Sequence, residues 1–139
     1  MRLFLDTSAC AKRYVAERGS DQVLALSLSA DALVVSAICL PELVSTLTRL
    51  LREKRLTKPA FRALKSRIVA DLADCETVAV DSGIIARGVL LLEAHPLRTL
   101  DALHVASALS AEIDRFVSAD NRQLAAAKNA GLSVEDVTA

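Results

Sequence analysis

The segment LFLDTSA, residues 3–9, decides how the chain is read. Leu3-Phe4-Leu5 is a short β-prone run, and Asp6-Thr7-Ser8 ends it with three residue types that favour the N-cap of a helix. A strand therefore runs straight into a helix, expected over Ala9 to Glu17. The same transition recurs downstream. Gly19-Ser20-Asp21 opens a helix to about Ser29. Leu33-Val34-Val35 is a β-branched strand followed by Ser36 and a helix with Pro41 in its first turn. Leu43, Leu47, Leu50 and Leu51 keep one apolar stripe on that helix to about Lys54.

Thr57-Lys58-Pro59 starts a further helix with Phe61, Leu64, Ile68 and Leu72 on one face. Thr77 to Val80 is the third strand, after which Asp81 caps a helix to about Glu93. A turn at His95-Pro96 precedes a helix from Thr99 through Ala111. Arg115 to Ser118 is the fourth strand, and Asp120 opens a short helix ended by Gly131. Leu132 to Val134, or the residues just after, make a weak fifth strand. Strands separated by helices pair in parallel, because a parallel connection needs a crossover. The fold class is thus α/β: a three-layer α/β/α sandwich around a mainly parallel sheet of about five strands, forming one domain over residues 1–139.

Composition narrows the function. A chain of 139 residues with 53% hydrophobic content builds one core and is not disordered. Phe4, Tyr14, Phe61 and Phe116 are its only aromatics, which argues against a stacking platform for single-stranded nucleic acid. No apolar run approaches the roughly 18–20 residues of a membrane span, and Asp6 interrupts any secretory signal. Cys10, Cys39 and Cys75 form no CxxC pair and read as small buried hydrophobes of a cytoplasmic protein. Net charge is zero, yet the segment Arg49–Arg67 holds eight basic residues against one acid, Glu53. That segment is +7 and the remainder of the chain −7.

In open parallel sheets, ligands bind beyond the carboxyl ends of the strands. Asp6 follows strand 1 directly, Glu42 lies in the first turn after strand 2, Asp101 in the first turn of its helix, and Asp120 just past strand 4. Any one acid could simply cap a helix or favour its positive end, worth about 0.3–1 kcal/mol. Four together are harder to explain so. If strands 1 and 4 are neighbours the carboxylates converge, and two like charges about 4 Å apart repel by about 4 kcal/mol at an effective dielectric of 20. A divalent cation offsets that repulsion, and oxygen-only ligands suit Mg²⁺ or Mn²⁺.

LDTSA with Asp6, PELVSTL with Glu42, LDALHVASA with Asp101 and SADNRQLAAAKNAGL with Asp120 together resemble the PIN-domain ribonucleases. In size and order they resemble the VapC-type toxins of bacterial toxin–antitoxin pairs. Successive acids are 36, 59 and 19 residues apart, and the resemblance spans positions 3 to 132. It implies a parallel sheet of about five strands, an acidic pocket for Mg²⁺ or Mn²⁺, RNA cleavage, a homodimer, and inhibition by an antitoxin encoded alongside. Ser118 stands where the family more often has Thr, and Asn121 and Arg122 supply no further acid beyond Asp120.

On this reading Asp6 and Asp101 are direct metal ligands, while Glu42 and Asp120 complete the catalytic cage. Thr7, Ser8, Ser36 and Ser118 are the candidates to hydrogen-bond those acids. An acidic site repels a polyanion, so Arg49, Arg52, Lys54, Arg55 and Arg62 are candidates to hold the RNA backbone; they could alternatively meet acidic parts of the antitoxin. His104 shares a helical face with Asp101, but within LHVASAL it reads as a core-facing or boundary side chain. The alternatives are a PIN-like module that binds nucleic acid or protein without cutting, and a metal-dependent DNA nuclease. Dinucleotide binding is excluded by the absence of GxGxxG among four glycines, and a haloacid dehalogenase by the absence of DxDxT.

Overall fold

A computed structural model describes all 139 residues. Its five strands are β1 (Arg2–Leu5), β2 (Ala32–Ser36), β3 (Glu76–Val78), β4 (Arg115–Ser118) and β5 (Val134–Asp136). They form one sheet in the order β3-β2-β1-β4-β5, with every neighbouring pair parallel. Seven helices connect them: α1 (Thr7–Ala11), α2 (Ser20–Ser29), α3 (Cys39–Arg52), α4 (Lys58–Ala73), α5 (Ser82–Ala94), α6 (Thr99–Ser110) and α7 (Asn121–Asn129).

The strand alternation explains the three layers. On β1, Leu3 and Leu5 point into one core, joined by Val35 and Val117 from the neighbouring strands. Cys10, Val23, Leu43, Leu47, Ile68 and Leu72 cover that face from α1 to α4. Phe4 points the other way, stacked on Phe116 at 5.6 Å and covered by Ile84, Leu91, Ala102 and Val105 of α5 and α6. Leu3, Phe4 and Leu5 are all buried because β1 is the central strand with helices on both sides.

Chain order runs outward from β1 through β2 to β3, then returns to β4 on the other side of β1. The sheet therefore reverses direction between β1 and β4, and the crevice above their C-terminal ends is where such folds bind ligands. The Asp6 N–H still bonds the Val117 carbonyl at 3.2 Å, so the loop after β1 begins against the end of β4.

The element that departs most from expectation is α1. It ends at Ala11 rather than near Glu17, because Lys12 is drawn inward and its ammonium bonds the Arg18 carbonyl and, at 3.4 Å, Glu17. Gly19 then turns the chain with φ of 84° into α2. β3 begins one residue earlier and ends two residues sooner than expected, and β5 lies just beyond Leu132.

Candidate active site

Each acid is placed by a local rule. Asp6 is the N-cap of α1 and Asp120 of α7, so both sit at strand-to-helix transitions beside the switch point. Asp101 is the third residue of α6, where its carboxylate reaches back to the Arg98 N–H at 3.3 Å. Glu42 lies in the first turn of α3. Helix starts bring all four to the same end of the sheet, where hydrogen bonds link Asp6, Asp120 and Asp101 in one network and hold Glu42 in a second.

Asp6 is fully buried. Its carboxylate accepts from Ser118 Oγ at 2.6 Å, from Ser8 Oγ at 2.7 and 2.9 Å, and from the Ala9 N–H at 2.9 Å. Ser118 Oγ in turn accepts from the Asp120 N–H at 2.9 Å. Asp120 accepts from the Gln123 N–H at 3.4 Å, and Gln123 Nε2 donates to Asp101 Oδ1 at 3.0 Å. On the other side of Asp6, Thr7 Oγ1 donates to Glu42 Oε1 at 2.7 Å, and His104 Nε2 meets the same oxygen at 2.5 Å. His104 stands one helical turn after Asp101 on α6, so the backbone of that helix and the Asp6–Thr7 peptide, rather than hydrogen bonds, join the two networks into a ring.

The electrostatics differ around this ring. Burial raises the Asp6 carboxyl above its ordinary value, against the bonds from Ser118, Ala9 and Ser8, which favour the anion. Burial also acts to raise Glu42, but the bonds from His104 and Thr7 outweigh it and hold the carboxyl below its ordinary value. The site thus keeps one anion by charge-assisted bonding and strains against the other by desolvation.

Thr7, Ser8 and Ser118 bond the acids directly, whereas Ser36 only accepts from the Ile38 N–H within its own turn. Two participants were not assigned from sequence. His104 is buried, as a core side chain would be, yet its Nε2 is spent on Glu42 and Thr7. The signal was its three-residue offset from Asp101, masked by an apolar background. Gln123, in the short helix that Asp120 opens, is buried and links Asp120 to Asp101.

Beside Glu42 opens a cleft of about 650 Å³, lined by Thr7, Glu42, Ser45, Arg49, Arg98 and Leu100 among others. Of the five basic candidates Arg49 lines this cleft, while Arg62 lines a separate groove with Phe61, Lys65 and Val69. Arg52, Lys54 and Arg55 are exposed where α3 turns toward α4.

The PIN-domain family model matches residues 3–129, nearly the whole chain. The chain belongs to the PIN-domain family. Ribonuclease VapC46 of Mycobacterium tuberculosis is 32% identical over 136 residues, covering 95% of both chains. Among solved structures, VapC20 of M. tuberculosis, described as a sarcin–ricin loop cleaving toxin, superposes with a TM-score of 0.70 at 18% identity over 94% of this chain and 95% of that one. A toxin–antitoxin complex from Klebsiella pneumoniae gives 0.67 at 17% identity over 88% and 90%. At such identities the structural matches speak for the fold alone. This PIN domain has the sandwich that its sequence led us to expect.

The acids are hard oxygen donors of the kind that hold Mg²⁺ or Mn²⁺. As the side chains stand, no three His, Cys, Asp or Glu residues are close enough to share one ion. Their oxygens are partly engaged within the protein: Glu42 Oε1 is held by His104 and Thr7, and Asp101 by Gln123 and Arg98. Glu42 Oε2 and Asp120 Oδ2 accept no hydrogen bond within the protein, so by their chemistry these oxygens are free to meet a cation.

Proposed function

We propose that this PIN domain is a metal-dependent endoribonuclease, the toxin of a toxin–antitoxin pair, hydrolysing RNA at Asp6, Glu42, Asp101 and Asp120. The observation that carries the reading is that hydrogen bonds link a fully buried Asp6 with Asp120 and Asp101 at the β1–β4 switch point, with Glu42, held by Thr7 and His104, joined to them through the Asp6–Thr7 peptide and the backbone of α6. Burial disfavours the Asp6 carboxylate even with its hydrogen bonds, and an adjacent cation would relieve that cost. The 32% identity to a ribonuclease favours RNA over DNA as substrate.

In this reading Asp6 and Asp101 would hold Mg²⁺ or Mn²⁺, with Glu42 and Asp120 completing the cage. The ion would supply a more acidic bound water and neutralise charge on the phosphoryl oxygens. The chain's own residues do the rest. Ser8 and Ser118 fix the Asp6 carboxylate in one plane, and Ser118 ties it to the backbone of Asp120. His104 and Thr7 keep Glu42 ionised and aimed, so that its free oxygen is available to orient a water. The cationic segment, from Arg49 to Arg62, offsets the repulsion between the acids and the RNA.

The antitoxin partner is proposed from the resemblance to toxin–antitoxin complexes. A homodimer is proposed because α5 exposes Ile85, Val89 and Leu90, apolar surface that a second copy would cover. No helix is long and apolar enough to cross a membrane, and we propose a cytoplasmic location.

The test is cleavage of end-labelled single-stranded RNA with Mg²⁺, with EDTA, and with Mg²⁺ restored. Cleavage should vanish in EDTA and return. Asp6→Asn and Asp101→Asn should abolish it while circular dichroism stays that of the folded protein. Wild-type cleavage by either variant would place the site elsewhere.

A further inference from the structure

The cleft beside Glu42 has two walls that differ in origin. One is the exposed side of α3, where Glu42, Ser45 and Arg49 stand at i, i+3 and i+7, so that Arg49 lies about 10 Å along the helix axis from the acid. The other is the start of α6, with Arg98 and Leu100. What sets the two cations apart is that they line the same cleft as Glu42 with their guanidinium groups open to solvent, whereas several other cations are spent on acids elsewhere. Arg2, Lys12 and Arg115 are tied to Glu76, Glu17 and Glu135. Arg49 has no carboxylate within ion-pairing distance. Arg98 has only Asp101, at 3.4 Å from Nε, and its side chain is 80% exposed.

The guanidinium end of this pair faces solvent while the Asp101 carboxylate is buried and also held by Gln123, so an incoming anion can compete for Arg98 from the solvent side. A phosphodiester offers such an anion, and a guanidinium can meet it with two parallel N–H bonds. The hydroxyl of Ser45 lies on the α3 wall between Glu42 and Arg49, another donor for a phosphate oxygen.

Resting on the nuclease reading, we propose that Arg49 and Arg98 are opposed jaws of a phosphate clamp that holds the RNA backbone next to the nucleotide being cut. Taking up that phosphate draws the Arg98 guanidinium off Asp101, so that substrate binding frees the Asp101 carboxylate for its work in the acidic site. The clamp also gives the strand a direction: from the acids it follows the Glu42–Ser45–Arg49 face of α3. The groove of α4 that holds Phe61 and Arg62 is separate from this path.

The experiment is fluorescence anisotropy of a labelled single-stranded RNA with the full chain in EDTA, titrated between about 50 and 200 mM NaCl. Each phosphate contact removed should lower the slope of log K against log salt by about 0.7 for a single strand. Arg49→Gln and Arg98→Gln should each show that loss, and the double variant about twice it. Arg98→Lys should keep most of the slope, because the charge survives. Arg87→Gln on α5 makes the same charge change away from the cleft and should leave the slope as it is. With Mg²⁺ present, Arg49→Gln should raise KM about tenfold while changing kcat less than about twofold, the loss of one charge-assisted contact. A capping role for Arg98 would move the melting temperature but not the salt slope. An unchanged slope in Arg98→Gln, or an equal loss in Arg87→Gln, overturns the clamp. Wild-type protein that cuts RNA with an unchanged slope in the variants sinks the clamp alone; wild-type protein that neither binds nor cuts overturns the nuclease reading with it.

Discussion

Replacing His104 with alanine removes a ring that is fully buried and packed edge-on against Phe4 at 6.5 Å, together with the 2.5 Å bond to Glu42. Truncating a large buried side chain to alanine costs about 2–5 kcal/mol, and a hydrogen bond to a charged group contributes about 1.5–3. The two do not add in full, because the Glu42 side chain is 27% exposed and water can replace the lost donor. We expect a destabilisation of about 3 kcal/mol. With an unfolding entropy of about 2.1 cal/mol/K per residue, that lowers Tm by about 10 °C for this chain. His104→Gln keeps a donor near Glu42 and much of the volume, and should lose about 1 kcal/mol. Urea unfolding reads the stabilities, and RNA cleavage reads the function. If His104 acts by positioning Glu42, His104→Gln lowers kcat about 10–100-fold with KM nearly unchanged, the usual size for a partner that orients a metal-site group. The double variant with Glu42→Gln should then be no worse than Glu42→Gln alone. Additive losses in kcat, or a His104→Ala variant within about 1 kcal/mol of wild type, would refute this reasoning.

Three further outcomes follow from the electrostatics and backbone. Glu42 is held below its ordinary value in the folded state, so the stability it contributes is present above about pH 4.5 and lost as pH falls through the lower folded value; Glu42→Gln should flatten that acid limb of a Tm–pH profile. Asp6 is displaced the other way: its burden is absent in strong acid and present once pH exceeds the raised folded value, so without metal Asp6→Asn should melt higher than wild type at pH 7 and lose that advantage as pH falls. A Tm for Asp6→Asn well below wild type at pH 7 would contradict this. Gly19→Ala should destabilise by more than about 2 kcal/mol in urea unfolding, since its φ is 84° and a Cβ there would lie 2.2 Å from the Val137 carbonyl oxygen. Gly131→Ala, with φ of 99° but open space around it, should lose only the backbone part.

The fold was legible because β1 states its own rule: three apolar residues, then Asp6-Thr7-Ser8, is a strand turned into a helix, and the pattern repeats along the chain. What local pattern missed was decided by tertiary contacts. Residues 12–17 suit a helix, but the Lys12 ammonium is more favourably spent on the Arg18 carbonyl and Glu17, and α1 stops. The acids were legible as polar exceptions at strand ends. Their partners were less so, because His104 and Gln123 bond across helices rather than along them. Nothing along the sequence says that a buried histidine turns its Nε2 toward an acid 62 residues away. Arg98 was visible as the basic neighbour of Asp101, but the cleft that gives it an opposing Arg49 exists only in the folded chain.

Whether the acids gather around a cation is read most directly by anomalous diffraction from crystals grown with Mn²⁺. A peak is expected with oxygens of Asp6 and Asp101 on the order of 2.1 Å away and Glu42 and Asp120 alongside. Crystals with no peak at saturating Mn²⁺, or with the peak on acids outside this ring, would contradict it.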